Sequence, residues 1–213
     1  MEKKPNYSVL QPKVASESQV AEAVQVCLHS FEPNDIAIQT LAGGTEAEHT
    51  LTFFRTVLQS SARNEALFVA VTDDPDKKII GVAAWLGAFS EKKESEEKKP
   101  EKEVLSDVSK FQVDTVKLLK ERTLSSTSGE SRFPWYLNVL AVHPEYQKLG
   151  IGRAFIEEAR RRAQGVDVLL HTSSEGNVQV YTRLGFTLEG KTTITGPYGE
   201  FDMFLMSVST STA

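Results

Sequence analysis

Cysteine is nearly absent: Cys27 stands alone in 213 residues, so no internal disulfide can form. It falls in step with Val20, Val24 and Phe31 at helical spacing, which reads as a packed helix face rather than a nucleophile. Long apolar runs are missing too. None nears the roughly 20 residues that cross a bilayer. The opening "MEKKPNYSVLQPK" has no apolar stretch of the secretory kind, so the expected location is cytoplasmic, with no membrane partner. Positive charge is in deficit: 24 Lys and Arg against 29 Asp and Glu leave a formal charge of -5, which argues against a nucleic-acid partner. His29, His49, His143 and His171 are scattered without ligand-spaced partners, so no metal is expected. There is no G-x-x-x-x-G-K-[ST], and Phe155 stands where a third glycine would complete G-x-G-x-x-G. Nucleotide hydrolysis and dinucleotide redox chemistry both lose ground.

What is present is ordinary globular material, 40% hydrophobic and 25% charged, without an internal repeat. One domain over residues 1–213 is expected. "YSVLQP" reads as a first strand, and "SESQVAEAVQVCLHSF" as a helix capped by Ser16 or Ser18. "EPNDIAIQTLAGGT" reads as a linker, before a second helical pattern around Leu51, Phe54, Val57 and Leu58. "ALFVAVTD" and "KIIGVAAWLGAF" flank the turn chemistry of "DDPDKK" and predict an antiparallel hairpin. From Glu91 to Glu103 no apolar residue occurs, so that stretch reads as solvated loop. Val104, Leu105, Val108, Phe111, Val116 and Leu119 then recur at helical spacing. Residues of about 90–132 therefore form an insertion whose helix docks back on the domain. "FPWYLNVLAVHP" and "VDVLLHTSS" read as buried strands, and "EGNVQVYTRLGF" as a short helix. "TLEGKTTIT" and "FDMFLMSV" form a last hairpin around "GPYGE", and "STSTA" a frayed tail.

The stretch "VHPEYQKLGIGRAF" places Gly150 and Gly152 where a strand ends and a helix begins. Glycine costs a helix roughly 1 kcal/mol relative to alanine, so two in a first turn need a backbone reason. The first N–H groups of a helix lack intrahelical partners and carry the positive end of its dipole, a surface suited to phosphate oxygens. Side chains at both positions would hold a pyrophosphate away. The arginines 160–162 sit near the helix C-terminus and read as partners of its negative end.

"LAVHPEYQKLGIG" resembles the Q/R-x-x-G-x-G/A signature of the GCN5-related N-acetyltransferases, with Gln147, Gly150 and Gly152 at the matching positions. "VYTRLGF" resembles that family's downstream element, with Tyr181, Gly185 and Phe186 in register. The resemblance covers about Phe133 to Leu188 and implies an α/β fold. Its mixed, mostly antiparallel sheet of about seven strands would carry helices on both faces and splay between the fourth and fifth strands. It implies acetyl-CoA as co-substrate. The diphosphate would lie on the N–H groups of about Lys148, Leu149, Gly150, Ile151, Gly152 and Arg153, with Gln147 also a cofactor-binding position, and the pantetheine arm beside Leu140, Ala141 and Val142. Ser174 would replace the family's usual asparagine.

The implied reaction is N-acetyl transfer by direct amine attack on the thioester, with Tyr181 as general acid. No strand carboxylate is present to act as base, since Tyr136 and Asn138 occupy those positions. That departure keeps open an acyl-CoA-binding sensor or interaction module without turnover. The acceptor, a small-molecule amine rather than a protein, would lie between the early helices, the insertion and the last hairpin. Phe31, Glu32, Asp35, Trp85, Trp135, Tyr136, Asn138, Tyr198 and Asp202 are its candidate lining, and the insertion helix is a candidate lid.

Overall fold

A computed structural model of the protein describes residues 6–12, 15–86, 107–122, 124–125, 131–132, 134–163 and 165–210. The charged loop predicted over Glu91–Glu103, with Val104 and Leu105, lies outside the described residues, as do residues 211–213 of the tail.

The chain opens with β1 (Tyr7–Leu10), α1 (Glu17–Ser30), α2 (Ile36–Ala42), α3 (Ala47–Arg63), β2 (Leu67–Thr72) and β3 (Ile79–Leu86). Then come α4 (Asp107–Glu121) and a two-residue pair, β4 (Leu124–Ser125) with β5 (Ser131–Arg132). The second half holds β6 (Trp135–Val142), α5 (Ile151–Ala163), β7 (Val168–Thr172), α6 (Glu175–Arg183), β8 (Thr187–Gly196) and β9 (Gly199–Val208). Seven strands form one sheet in the order β1-β2-β3-β6-β7-β9-β8. All neighbours are antiparallel except the fourth and fifth, β6 and β7, which the α5 crossover makes parallel.

Local chemistry explains the boundaries. At α1, the Ser16 hydroxyl accepts from Gln19 N–H while the Gln19 side chain accepts from Ser16 N–H, a reciprocal capping box. The segment read as a plain linker contains α2. Its signals are Asp35, whose carboxylate accepts from the N–H groups of Ala37 and Ile38, and Gly43, which closes the helix at φ 77°. A seven-residue helix is too short for its apolar spacing to stand out.

One sheet face carries α1 and α3 over β2, β3 and β6, burying Phe54, Leu58, Val69, Val82, Val139 and Ala141. Further along that face α4 lies against β8. The opposite face carries α5 and α6, burying Phe155, Ile156, Leu137, Leu170 and Met206. Cys27 is wholly buried under the first face, and burial pushes its thiol up to about 12, in keeping with a packing role. Phe111 and Leu119, predicted on the docking face of α4, are partly covered, with Thr115 and Leu118 beside them, whereas Val116 is 52% exposed. The helix end is tied down by Arg122, which forms a two-pronged ion pair with Glu189 of β8 and reaches Asp167 at 3.5 Å.

Candidate active site

The splay is visible in the register. Strands β6 and β7 pair only at Trp135↔Val168, Tyr136↔Leu169 and Leu137↔Leu170. At the same level β6 carries a bulge against β3: Trp85 opposes Leu137 and Ala84 opposes Val139, leaving Asn138 unopposed. A bulge bends and twists its strand. From Asn138 onward no described strand covers the β7-side edge of β6, so a wedge opens with Asn138 and His171 at its apex.

Alternation decides which backbone groups face that wedge. His143 N–H reaches across to Ile80 C=O, so residues 141 and 139 also turn their polar groups toward β3, and Leu140 and Val142 turn theirs to the open edge. Ser30 and Gln147 already donate to Val142 C=O, at 2.9 and 3.2 Å. Of the three residues assigned to a pantetheine arm, Leu140 and Val142 thus present an edge. Ala141 pairs with Val82 and is 2% exposed, so it has no group free for that role.

Beyond β6 a short 3-10 turn, Pro144–Tyr146, leads through Lys148 at φ 60° and Gly150 at φ 88° into α5. The two glycines have different causes. Gly150 is required by its left-handed backbone, whatever binds nearby. Gly152 is under no such demand: a Cβ there would meet only the Leu140 Cδ2, at 3.8 Å, an ordinary contact. Nothing inside the protein asks for its missing side chain, so the open space above the first helical turn is what it preserves. The first intrahelical bond at this end is Ala154 N–H to Gly150 C=O, at 2.9 Å, leaving the N–H groups of Ile151, Gly152 and Arg153 without helical partners. Ile151 is 1% exposed and Leu149 packs on the core, so both can offer only backbone. Lys148 and Arg153 stand outward, Arg153 3.7 Å from Glu157.

Tyr181 projects from α6 into the core on the α5 side, 8% exposed, edge-on to Phe186 at 5.6 Å. Burial raises its pKa above the ordinary phenol value, and its hydroxyl makes no hydrogen bond among the described residues. Ser174 is the N-cap of α6, accepting from Asn177 N–H at 3.4 Å, which accounts for a serine there without any ligand.

The candidate acceptor residues divide. Trp85 and Trp135 are 1% and 2% exposed and meet edge to face at 5.6 Å on the α5 side. They belong to the core on the α5 side and are not among the residues lining the α4 cavity. Phe31 lies tilted against Phe54 at 5.1 Å, Glu32 is exposed, and Asp35 caps α2. Tyr198 lies in the two-residue tip of the β8–β9 hairpin, which bends onto α2, bringing Gly199 to Ile36 and Gly196 to Thr40. Asp202 is committed to Lys191 at 2.7 Å and the Thr193 hydroxyl at 2.8 Å. Strand alternation turns its side chain to the face opposite Met203, so it does not reach the α4 side.

A group that the sequence reading left as a scattered histidine is organised here. Tyr136 on β6 and His171 on β7 share the α4 face, with Oη 2.9 Å from Nδ1. Tyr136 is 7% exposed and burial raises its pKa, so the phenol keeps its proton. A buried unpartnered hydroxyl costs about 1–3 kcal/mol, so Tyr136 donates to Nδ1 and His171 carries its own proton on Nε2. Burial also pushes His171 down to about 4, keeping the ring neutral at physiological pH. His171 lies edge to face with Phe111 of α4 at 4.8 Å and lines a cavity of about 470 Å³ between α4 and strands β8 and β9. Two residues 35 apart cannot be paired by local spacing; only the parallel register brings them together.

Residues 120–188 match the family model described as an acetyltransferase (GNAT) domain. Over that stretch the chain resembles the GCN5-related N-acetyltransferases, whose fold the whole chain shares. The whole chain is also similar in fold to solved members. One is a histone acetyltransferase and related acetyltransferase from Corynebacterium glutamicum, at 19% identity and TM-score 0.57, over 97% of this chain and 98% of that one. A second is the polyamine N-acetyltransferase of Drosophila melanogaster, at 13% identity and TM-score 0.61, over 96% and 100%. A third is a putative arylalkylamine N-acetyltransferase of Aedes aegypti, at 16% and 0.60, over 96% and 88%. At these identities the likeness carries the fold. The reaction class that goes with the matched domain model is acetyl transfer. Among the described residues no three His, Cys, Asp or Glu side chains cluster as metal ligands.

Proposed function

We propose that this protein transfers an acetyl group from acetyl-CoA to a primary amine by direct attack, without a covalent enzyme intermediate. The observation that carries the reading is the wedge: a β6 edge that no described strand covers from Asn138 onward, leading through a short turn to a helix N-terminus kept open at Gly152. Acetyl-CoA supplies a thioester already activated for acyl transfer.

The residues divide the remaining work. The N–H groups of Ile151, Gly152 and Arg153 hold the diphosphate, and Leu140 and Val142 hold the pantetheine amides along the strand edge. Tyr181 retains its proton at every physiological pH and hydrogen-bonds the departing sulfur. Because burial makes it a weaker acid still, proton transfer must accompany cleavage of the carbon–sulfur bond, and the proton that the nitrogen sheds on becoming an amide passes to water, from which Tyr181 is reprotonated. Amine enters from the α4 face, where the cavity meets His171.

One observation favours a second reading, a domain that binds acyl-CoA without turnover. The apex groups Tyr136, Asn138 and neutral His171 include no carboxylate to take the amine proton. Thiol release measured with acetyl-CoA and a panel of primary amines decides. Amine-dependent release with the N-acetyl product supports transfer; tight acetyl-CoA binding with no release on every amine supports the module.

A further inference from the structure

The α4 cavity has a mixed wall, with Thr115 and Thr192 among its apolar side chains and one imidazole. Its sides are Phe111 and Leu118 from α4 with Ile194, Met203 and Leu205 from the last hairpin, and His171 stands among them. Nδ1 is taken by Tyr136, and the two ring nitrogens point away from each other, so Nε2–H is left for the cavity. Nε2 has no hydrogen-bond partner among the described residues and is not one of the buried unpartnered polar atoms, so solvent or ligand reaches it. A donor that its neighbour locks in one tautomer cannot accept a proton at Nε2. It can only offer one.

We propose that His171, held by Tyr136, is a specificity-determining hydrogen-bond donor, and that the preferred acceptor is a primary amine whose apolar body carries an oxygen acceptor such as a hydroxyl, phenol or carbonyl. The inference rests on the amine-acceptor reading above. The charged groups around the ring agree with it. Lys110 and Asp114 of α4 also line the cavity, whereas Lys191 of β8 lines it with backbone only, its ammonium being held by Asp202 on the far face of the sheet. Asp114 is the sole acid in that lining and Lys110 balances it, so a polycation such as spermidine finds no excess of negative charge. Phe111 lies against one edge of the imidazole, and Met203 and Leu205 add no charge. A site built to hydrogen-bond an oxygen discriminates strongly against the analogue lacking it, because its donor is then left unpaired.

Two measurements test the proposal. Imidazole nitrogen NMR of the full chain without acetyl-CoA should show His171 as the Nε2–H tautomer at neutral pH, and Tyr136→Phe should mix the tautomers. An Nδ1–H tautomer in the wild type overturns the proposal. Thiol release is then compared for tyramine and phenethylamine, which differ by one oxygen, with spermidine as the polycation. Wild type should favour tyramine at least tenfold in kcat/KM over both. His171→Ala should lower tyramine turnover at least tenfold and phenethylamine less than twofold; an equal loss on both overturns the proposal. If no amine is turned over, acetyl transfer fails, and this inference is judged by binding alone. Tyramine should then shift the His171 resonances at concentrations where phenethylamine does not, and equal shifts overturn it.

Discussion

Gly152 and Gly150, two residues apart in one signature, should respond in opposite ways to the same substitution. At Gly152 a Cβ meets only Leu140 Cδ2, at 3.8 Å, so Gly152→Ala fits the folded protein and should stabilise the helix by up to about 1 kcal/mol. That methyl group stands over the N–H groups assigned to the diphosphate. Losing two hydrogen bonds to a charged group, each worth about 1.5–3 kcal/mol, costs about 3 kcal/mol at the low end, a loss of ~100-fold in acetyl-CoA affinity. Gly152→Val should lose at least as much. Gly150→Ala carries the strain of φ 88°, so it should destabilise folding by about 1–2 kcal/mol. Calorimetric binding of acetyl-CoA, with thermal unfolding of each variant, reads both effects. The reasoning is refuted if folded Gly152→Ala binds acetyl-CoA within threefold of wild type, or if Gly152→Ala is the less stable of the two variants.

Tyr181→Phe should lower kcat by about 100-fold or more, the scale of general-acid catalysis, with little change in acetyl-CoA affinity; steady-state kinetics and calorimetry separate the two. His171 contributes to the pH dependence of stability with a defined sign. Its folded pKa of about 4 lies below the unfolded 6.5, so the unfolded chain binds more protons in between, and stability falls as pH drops through that window, by up to about 3 kcal/mol. Urea unfolding of wild type and His171→Gln across this range should show the difference, with the variant flatter. Arg122→Ala removes the tie between α4 and Glu189 and leaves two carboxylates without their partner. It should cost about 1–3 kcal/mol in stability and raise the Michaelis constant for the amine several-fold, while acetyl-CoA affinity holds.

Much of the fold was legible because periodicity and end signals coincide. Short continuous apolar runs in "ALFVAVTD" and "KIIGVAAWLGAF" marked β2 and β3 as buried strands, and the "DDPDKK" turn marked their antiparallel pairing. Where period and length disagree, legibility failed. In α2 the caps Asp35 and Gly43 were present but the apolar pattern between them spans only seven residues. The bulge at Asn138 hides because β6 is apolar on both faces: the phase jump from Trp135 and Leu137 to Leu140 and Val142 is masked by Val139 and Ala141. Trp85 and Trp135 looked like possible aromatic lining because composition does not say which side of a sheet a residue faces. The cofactor end of the site was readable since it is local, a loop and one helix turn. The acceptor end, built from Tyr136, His171, Phe111 and the β8–β9 hairpin, is assembled only by the tertiary fold.

The central claim, that the wedge between β6 and β7 brings an acetyl thioester to an amine, is tested most directly by following both products in one vessel. Purified protein, acetyl-CoA and tyramine should yield free thiol and N-acetyltyramine in equal amounts by mass spectrometry, with thiol release falling to background when the amine is left out. Thiol release that is independent of amine, or an amine that stays unmodified while acetyl-CoA remains bound, would contradict it.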